Sequence, residues 1–298
     1  MRQILLLNMK YLNSNEAALI MGVNVSTIKR WTDSGILPCH QTPGGHRKFT
    51  LKHINKFLLK NNKKTNKVNI FEINKINDKY LIHNIEICNY TVLQSLLFSY
   101  AITAEEKYIK TIITGLYLKG APLYEIYDSL VLPVLYKIGE EWSCDKITIP
   151  EEHLASEAIR RAIYNLGESL GITNEKKNEF ALCFSVAGDN HEIPLIMTKQ
   201  ILEQNGIKTF NLGPNVPIND FSKMVLKTDP TLIIVSINYT EDPQQLNSEI
   251  KELLELSKII SSKILVGGGA VIQINKQNNA QILNIKNMYD LHKTVSGA

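Results

Sequence analysis

The chain of 298 residues has only four cysteines, Cys39, Cys88, Cys144 and Cys183, scattered and with no Cys-x-x-Cys pair. That spacing argues against a structural zinc site and against a disulfide framework. No apolar run reaches the length a bilayer span needs, so no membrane is expected among the partners. Residues 1–7 are apolar, but the run is too short for a secretory signal and no small-residue cleavage site follows it. A cytoplasmic location is the expectation. No internal repeat is present, and the body offers no set of nucleophile and general acid–base residues, so no enzyme is expected.

What the chain has is ordinary globular composition, 44% hydrophobic and 21% charged, in a length that accommodates two or three domains. The net charge of +4 hides an asymmetry. Residues 1–67 carry twelve Lys or Arg against two Asp or Glu, a net +10, while the remaining 231 carry 21 basic and 27 acidic residues, a net −6. A basic head on an acidic body is the electrostatic footprint of a module that binds a polyanion. A short Lys-rich stretch is also compatible with a solvated linker, so charge alone leaves both readings open.

The head has the punctuation of a helix-turn-helix. Residues 13–22 predict a helix capped by Asn13 or Ser14, with Ala17, Ala18 and Met21 on its apolar face and Gly22 at its end. A tight turn at Val23-Asn24 leads to a second helix over 26–34, closed by Gly35. In that geometry the second helix enters the major groove by its N-terminal residues, here Ser26, Thr27, Lys29 and Arg30. Trp31 falls on the opposite face and is read as core. The segment 42–49, TPGGHRKF, demands a turn at Pro43, Gly44 and Gly45. Thr42, Gly44, Gly45, His46, Arg47 and Lys48 place backbone and cationic donors beside it, suited to phosphates or a minor groove. The same residues also fit a plain hairpin with solvated charges. Residues 51–59 return to helical periodicity, and the polar stretch 60–67 reads as a flexible linker.

Residues 68–90 give no clear pattern. From 91 to 170 the periodicity is helical, broken at Ile102-Thr103, at Gly120-Ala121-Pro122 and over 143–150. Four helices with short connections predict a bundle. The last block alternates β-rich runs (180–187, 208–212, 232–237, 264–266) with helical stretches (193–204, 218–227, 244–260), the pattern of a parallel, doubly wound sheet. The expected fold is multidomain: a winged helix-turn-helix at 1–62, a linker and unassigned stretch at 63–90, a four-helix bundle at 91–174 and a Rossmann-like α/β domain at 175–298.

Two constellations in the body carry chemistry. Asp189 and His191 follow the first expected strand, at the sheet edge where open α/β folds bind ligands. A His there, two residues after an Asp, suits a metal ligand whose other nitrogen is held by a carboxylate. A loop His that caps the next helix fits equally. Trp142, with Glu152-His153 beyond it, sits at the join of the third and fourth helices. These residues suit one wall of a pocket, or a buried aromatic and an acidic first helix turn.

In the head, the residues Ser26-Thr27-Ile28-Lys29-Arg30-Trp31, Gly35-Ile36-Leu37-Pro38 and 42–49 resemble the MerR family of winged-helix regulators. The resemblance covers nearly all of 11–59 and implies a recognition helix and a wing acting in a homo-oligomer, a dimer or tetramer, on a double-stranded DNA operator. The long dimerisation helix and cysteine-bearing loop of metal-sensing members are missing. The body, with W-x9-EH in a bundle and D-x-H after the first strand of a doubly wound domain, resembles the cobalamin-binding domains. Head and body together resemble light-sensing regulators of the CarH and LitR type.

That resemblance implies cobalamin, as adenosylcobalamin, held between the bundle and the α/β domain, where it would control oligomerisation and DNA binding. It makes His191 the lower axial cobalt ligand, oriented by Asp189. Trp142 and Glu152 would face the upper axial group with His153 nearby. Ser236, Gly267, Gly268 and Gly269 would line the channel for the nucleotide tail, where small residues let backbone approach. The sequence departs from the family pattern at three places: Pro194 stands where D-x-H-x-x-G has Gly, Asn238 where S-x-L has Leu, and Ser143 where the photoreceptors have a cobalt-ligating His after the Trp. The expectation is a cobalamin-responsive repressor. The alternative is a MerR-like regulator whose body is a cofactor-free protein-interaction module.

Overall fold

The computed structural model describes residues 11–61, 70–171, 180–270 and 282–297. The apolar stretch 1–7 and most of the polar linker stretch 60–67 lie outside the described residues. The chain divides into two compact units, Met1–Ile172 and Thr173–Ala298.

In the first unit, Asn13 caps the helix Ser14–Ile20: its Oδ1 accepts the N–H groups of Asn15 and Glu16, and Glu16 accepts the N–H of Asn13 in return. The second helix, Val25–Asp33, buries Ile28 and Trp31, and the Trp31 ring packs on Phe57 at 4.7 Å between centroids. Two short antiparallel strands, β1 (His40–Gln41) and β2 (Arg47–Lys48), follow with His40 opposite Lys48. Their turn closes by Gly45 N–H to the Thr42 carbonyl at 2.8 Å, with Gly45 at φ +75°, where a side chain would be strained. The helix Leu51–Asn61 completes the head.

The bundle follows the expected breaks. Its helices are Tyr90–Ile102, Glu106–Leu118, an interrupted third and Ile149–Leu170, the last opened by a capping box between Thr148 and Glu151. The third runs as Leu123–Ile126, a π-helical turn Tyr127–Val131, and Leu132–Ser143. Pro133 explains the interruption, since it has no N–H to give the carbonyl four residues back. That carbonyl, of Ser129, instead accepts the Gln94 side-chain amide at 2.7 Å.

Two results go beyond the sequence expectation. Within 68–90, the stretch that gave no clear pattern, the helices Ile70–Ile73 and Lys79–Glu86 form, the second capped by Asp78. They pack on Glu106–Leu118, where a Cβ on Gly115 would come within 2.8 Å of Ile85 Cγ2, and Asn74 donates to Thr111 at 2.7 Å. Helices of four and eight residues are too short to hold without tertiary contact, so periodicity does not reveal them. The head also joins the bundle in one unit. Leu51–Asn61 packs against Glu106–Leu118 and Ile149–Leu170, and buried Asn55 hydrogen-bonds Tyr117.

The second unit is a five-stranded parallel sheet: β3 (Phe180–Val186), β4 (Lys208–Val216), β5 (Leu232–Ser236), β6 (Lys263–Gly267) and β7 (Ile282–Ile285), in spatial order β4-β3-β5-β6-β7. Alternate residues Leu182, Phe184, Ile233, Val235, Ile264 and Val266 share a core with the helices Ile218–Thr228 and Pro243–Ser257. Ile193–Gln204 and Met288–Ser296 pack together as the other helical pair. β4 runs past its expected end at Leu212 because the pairing with β3 shifts register there and carries the strand through Gly213-Pro214. A proline is tolerated because β4 is an edge strand. Among the described residues no helix is long and apolar enough to cross a membrane.

One titration follows from the head. His53 Nδ1 accepts the Thr50 N–H at 3.4 Å and the His53 N–H donates to Thr50 Oγ1 at 3.2 Å, a reciprocal cap that needs a neutral ring. Burial, then the charges of His40, Lys52 and Lys56, push the His53 pKa down to about 4. The unfolded chain therefore takes up this proton at higher pH than the folded one, and the stability it contributes is lost as pH falls from about 6.5 through about 4. Between pH 6.5 and 5, His53→Gln is expected to flatten the fall in melting temperature of the first unit. An unchanged slope would exclude His53 as its source.

Candidate functional site

The sheet order places its reversal between β3 and β5, the first strand and its neighbour across the switch. Ligands of open α/β sheets bind in the crevice outside the carboxyl ends of such strands. Asp189 follows β3 and Asn238 follows β5 at that point. The Asp189 side chain is fully buried, and an ionised carboxylate there must be hydrogen-bonded to be tolerated. Oδ1 accepts the His191 N–H at 3.0 Å and lies 2.7 Å from His191 Nδ1. Oδ2 accepts the Asn238 N–H at 2.7 Å and the Asn238 side-chain amide at 3.4 Å. That amide also donates to Ser236 Oγ at 2.8 Å. Burial pushes the Asp189 pKa up, but the bonds from the His191 ring, Asn238 and the His191 backbone outweigh it and hold the pKa below the usual carboxylate value.

His191 itself is 56% exposed. An Nδ1–H donated to a carboxylate leaves the lone pair on Nε2, the nitrogen suited to a metal. Among the described residues no group of three or more His, Cys, Asp and Glu is placed to hold a metal ion. An exposed histidine held at Nδ1 in this way suits a metal that arrives with other ligands of its own, as in a corrinoid ring. The residues fit such a group.

Neighbouring loops support this point. Asn215, after the β4 bulge, accepts the Gly188 N–H at 2.9 Å and donates its own N–H to the Asp189 carbonyl at 3.0 Å. Buried Glu249 accepts the Ile218 N–H and bonds the Ala187 backbone, with burial pushing its pKa up. The Tyr239 ring stands 6.4 Å from the His191 ring. Sequence reasoning missed Asn215, Glu249 and Tyr239. The rule that strand ends gather at the switch point could have found Asn215 and Tyr239. Pro194 occupies the first turn of Ile193–Gln204, where a missing N–H costs little.

Ser236 is buried and reaches Asp189 through Asn238. Of the three glycines after β6, Gly268 has φ +124°, and a Cβ on it would lie 2.2 Å from the Ile237 carbonyl oxygen. Its smallness is thus required by the backbone of the β5 loop. Gly267 would meet Ile285 O at 3.2 Å, and Gly269 only Asn238 O at 3.6 Å.

Trp142, Glu152 and His153 belong to the first unit. Trp142 is 47% exposed near the end of Leu132–Ser143. Glu152 accepts the Ser156 hydroxyl at 2.6 Å and lies 3.5 Å from His153 Nε2. The Ser143 hydroxyl is turned back to the Glu140 carbonyl at 2.8 Å. In the head, Ser26, Lys29 and Arg30 are exposed on the second helix, with Thr27 half-buried. At the hairpin, Gly44, Gly45 and His46 are exposed and Thr42 and Lys48 half-buried. Arg47 is bound to Asp33 at 2.5 Å, which ties the hairpin to the end of that helix.

Residues 11–62 match the family model of a helix-turn-helix domain and residues 95–166 that of a B12 binding domain. The chain therefore joins a helix-turn-helix domain to a B12 binding domain, a combination that fits regulators like CarH. The HTH-type transcriptional repressor CarH of Myxococcus xanthus is 27% identical over 119 residues, 40% of this chain and 39% of that protein. The match thus spans well under half of that relative. Dimethylamine corrinoid protein 3 of Methanosarcina acetivorans is 26% identical over 152 residues, 51% of this chain and 71% of that protein. The solved structure of the Methanosarcina barkeri monomethylamine corrinoid protein superposes with a TM-score of 0.56 at 18% identity, covering 70% of this chain and 98% of that one. The fold of bundle and parallel sheet is that of a corrinoid protein.

The crowding at Gly268 gives a paired prediction. In urea unfolding of the full chain, Gly268→Ala is expected to cost the second unit about 3 kcal/mol through backbone clash and strain. Gly269→Ala is expected to cost far less. Equal stability of the two variants would contradict the close approach.

Proposed function

We propose that this chain is a cobalamin-responsive transcriptional regulator, a homo-oligomeric repressor of MerR type whose hold on operator DNA is set by a bound corrinoid. The observation that carries the reading is an exposed His191 ring whose Nδ1 is pinned by the buried Asp189, in a chain that also has a helix-turn-helix head. A bound corrinoid would supply a cobalt centre that accepts a nitrogen ligand and, in this reading, carries an adenosyl group. His191 would offer Nε2, Asp189 would fix its tautomer, and Gly267, Gly268 and Gly269 would leave room for the nucleotide tail. Trp142, Glu152 and His153 are the residues that the reading assigns to the adenosyl group.

On the DNA side, Ser26, Thr27, Lys29 and Arg30 read base edges in the major groove. Thr42, Gly44, Gly45, His46, Arg47 and Lys48 reach the backbone from the wing, with Asp33 holding Arg47 in place. The coupling runs through the first unit. Ile149–Leu170 carries Glu152 and His153 near its start and packs on the last helix of the head, so a shift of that helix would be felt by the DNA-binding surface. Such coupling amounts to roughly 1–3 kcal/mol in typical allosteric proteins, a change of about 5- to 150-fold in affinity.

The reading is tested by operator binding measured in the dark, with and without adenosylcobalamin, and again after green light. Adenosylcobalamin is expected to change the affinity of the wild type at least fivefold, and His191→Ala is expected to abolish the response. An affinity indifferent to the corrinoid would overturn the reading. The illuminated arm decides whether light acts on a protein that has Ser143 in place of the histidine.

A further inference from the structure

We infer that Tyr239 is a further corrinoid-binding residue: its exposed ring, beside His191, supports the underside of the macrocycle whose cobalt His191 would ligate. The inference deepens the corrinoid reading and rests on it.

The loop that carries Tyr239 is bonded on both sides of it. The Ile237 N–H donates to the Gly267 carbonyl at 2.8 Å, and the Ile237 carbonyl accepts the Ala270 N–H at 3.0 Å. The Asn238 N–H donates to the buried Asp189 carboxylate at 2.7 Å. After Tyr239, Thr240 Oγ1 donates to the Asp242 carbonyl at 3.0 Å, and the Asp242 side chain caps the helix Pro243–Ser257. Ile237 is fully buried, yet Tyr239, two residues on, is 50% exposed. A large aromatic is thus held out into water by an ordered backbone. Tyrosine has only two side-chain torsions to freeze, so a ring presented in this way offers contact area at little entropic cost to binding.

The neighbour of that ring points to the ligand. The Tyr239 and His191 rings meet edge to face, with 6.4 Å between centroids and 60° between planes. His191 is itself 56% exposed, so the two rings form one exposed pair beyond the carboxyl ends of β3 and β5. A simple metal ion on Nε2 would leave the Tyr239 ring in water. A flat macrocycle centred on Nε2 spreads sideways over the groups that flank the imidazole, and Tyr239 is one of them. Its ring offers an apolar surface to the macrocycle, and its hydroxyl offers a donor and an acceptor to the amide side chains around a corrinoid's rim. The nucleotide tail is assigned to Gly267, Gly268 and Gly269, so the contact of Tyr239 is with the ring system that every corrinoid shares.

The test is an absorption titration of the full chain, in the dark, with adenosylcobalamin and separately with adenosylcobinamide, which has the same ring system and upper group but no nucleotide tail. Tyr239→Ala is expected to weaken the binding of both about tenfold. Tyr239→Phe is expected to keep most of the affinity, because the ring carries the contact. At saturation the Tyr239→Ala spectrum is expected to retain the histidine-on form, which separates the loss of a ring contact from the loss of the His191 ligand. Its urea midpoint is expected to match wild type, since the side chain is exposed. Equal affinity of Tyr239→Ala and wild type for both corrinoids would overturn the inference and leave the corrinoid reading standing. A loss confined to adenosylcobalamin would also overturn it, by assigning Tyr239 to the tail. A wild type that binds neither corrinoid overturns the reading and the inference together.

Discussion

An ionised carboxylate sealed away from water is the constraint around which the second unit is arranged. Asp189 has no exposed side-chain surface, and an unpaired charge in that position would cost several kcal/mol. The fold meets the demand by bringing the ends of β3 and β5 together, so that donors from His191 and Asn238 converge on the two oxygens. The requirement is local, but its consequences spread through the loops. Asn215 steadies the turn from β4, Glu249 holds the Ala187 backbone from a helix, and Gly268 lets the loop after β6 lie against Ile237 closer than any side chain permits. The reward of this arrangement is a histidine that is exposed yet ordered.

The same logic of borrowed order applies in the first unit. The head is not suspended from the bundle but shares its packing, through Leu51–Asn61 and the short helices between them. The helix Ile149–Leu170, which carries Glu152 and His153 near its start, also packs against the head's last helix. The joining of a helix-turn-helix domain to a B12 binding domain acquires a physical meaning here: both rest on the same helices.

Much of this was legible in the sequence where a residue type has a single local job. The cap at Asn13, the breaks at Gly120 and Pro122, and the glycine turn before Arg47 announced themselves, because each acts through its own backbone. The strands Phe180–Val186 and Leu232–Ser236 were equally plain, being buried on both faces and hence continuously apolar. Illegible elements depend on distant partners. The helices Ile70–Ile73 and Lys79–Glu86 are too short to declare themselves, β7 is a four-residue edge strand, and β4 passes through Gly213-Pro214, which reads as a break unless its edge position is known. At the site, Asp189 and His191 were visible as a pair because they are close in sequence. Asn238 registered only as a departure from a pattern, since nothing in the chain says that its amide meets a carboxylate 49 residues away.

The central claim is that His191, held by Asp189, presents a nitrogen to a corrinoid cobalt. The most direct measurement is electron paramagnetic resonance of the protein loaded with cob(II)alamin, prepared once with natural-abundance and once with ¹⁵N-labelled histidine. The account predicts that the hyperfine lines of cobalt split into triplets in the first sample and doublets in the second, and that His191→Ala abolishes the labelled pattern. A spectrum whose splitting ignores the label, or that survives the loss of His191, would contradict it.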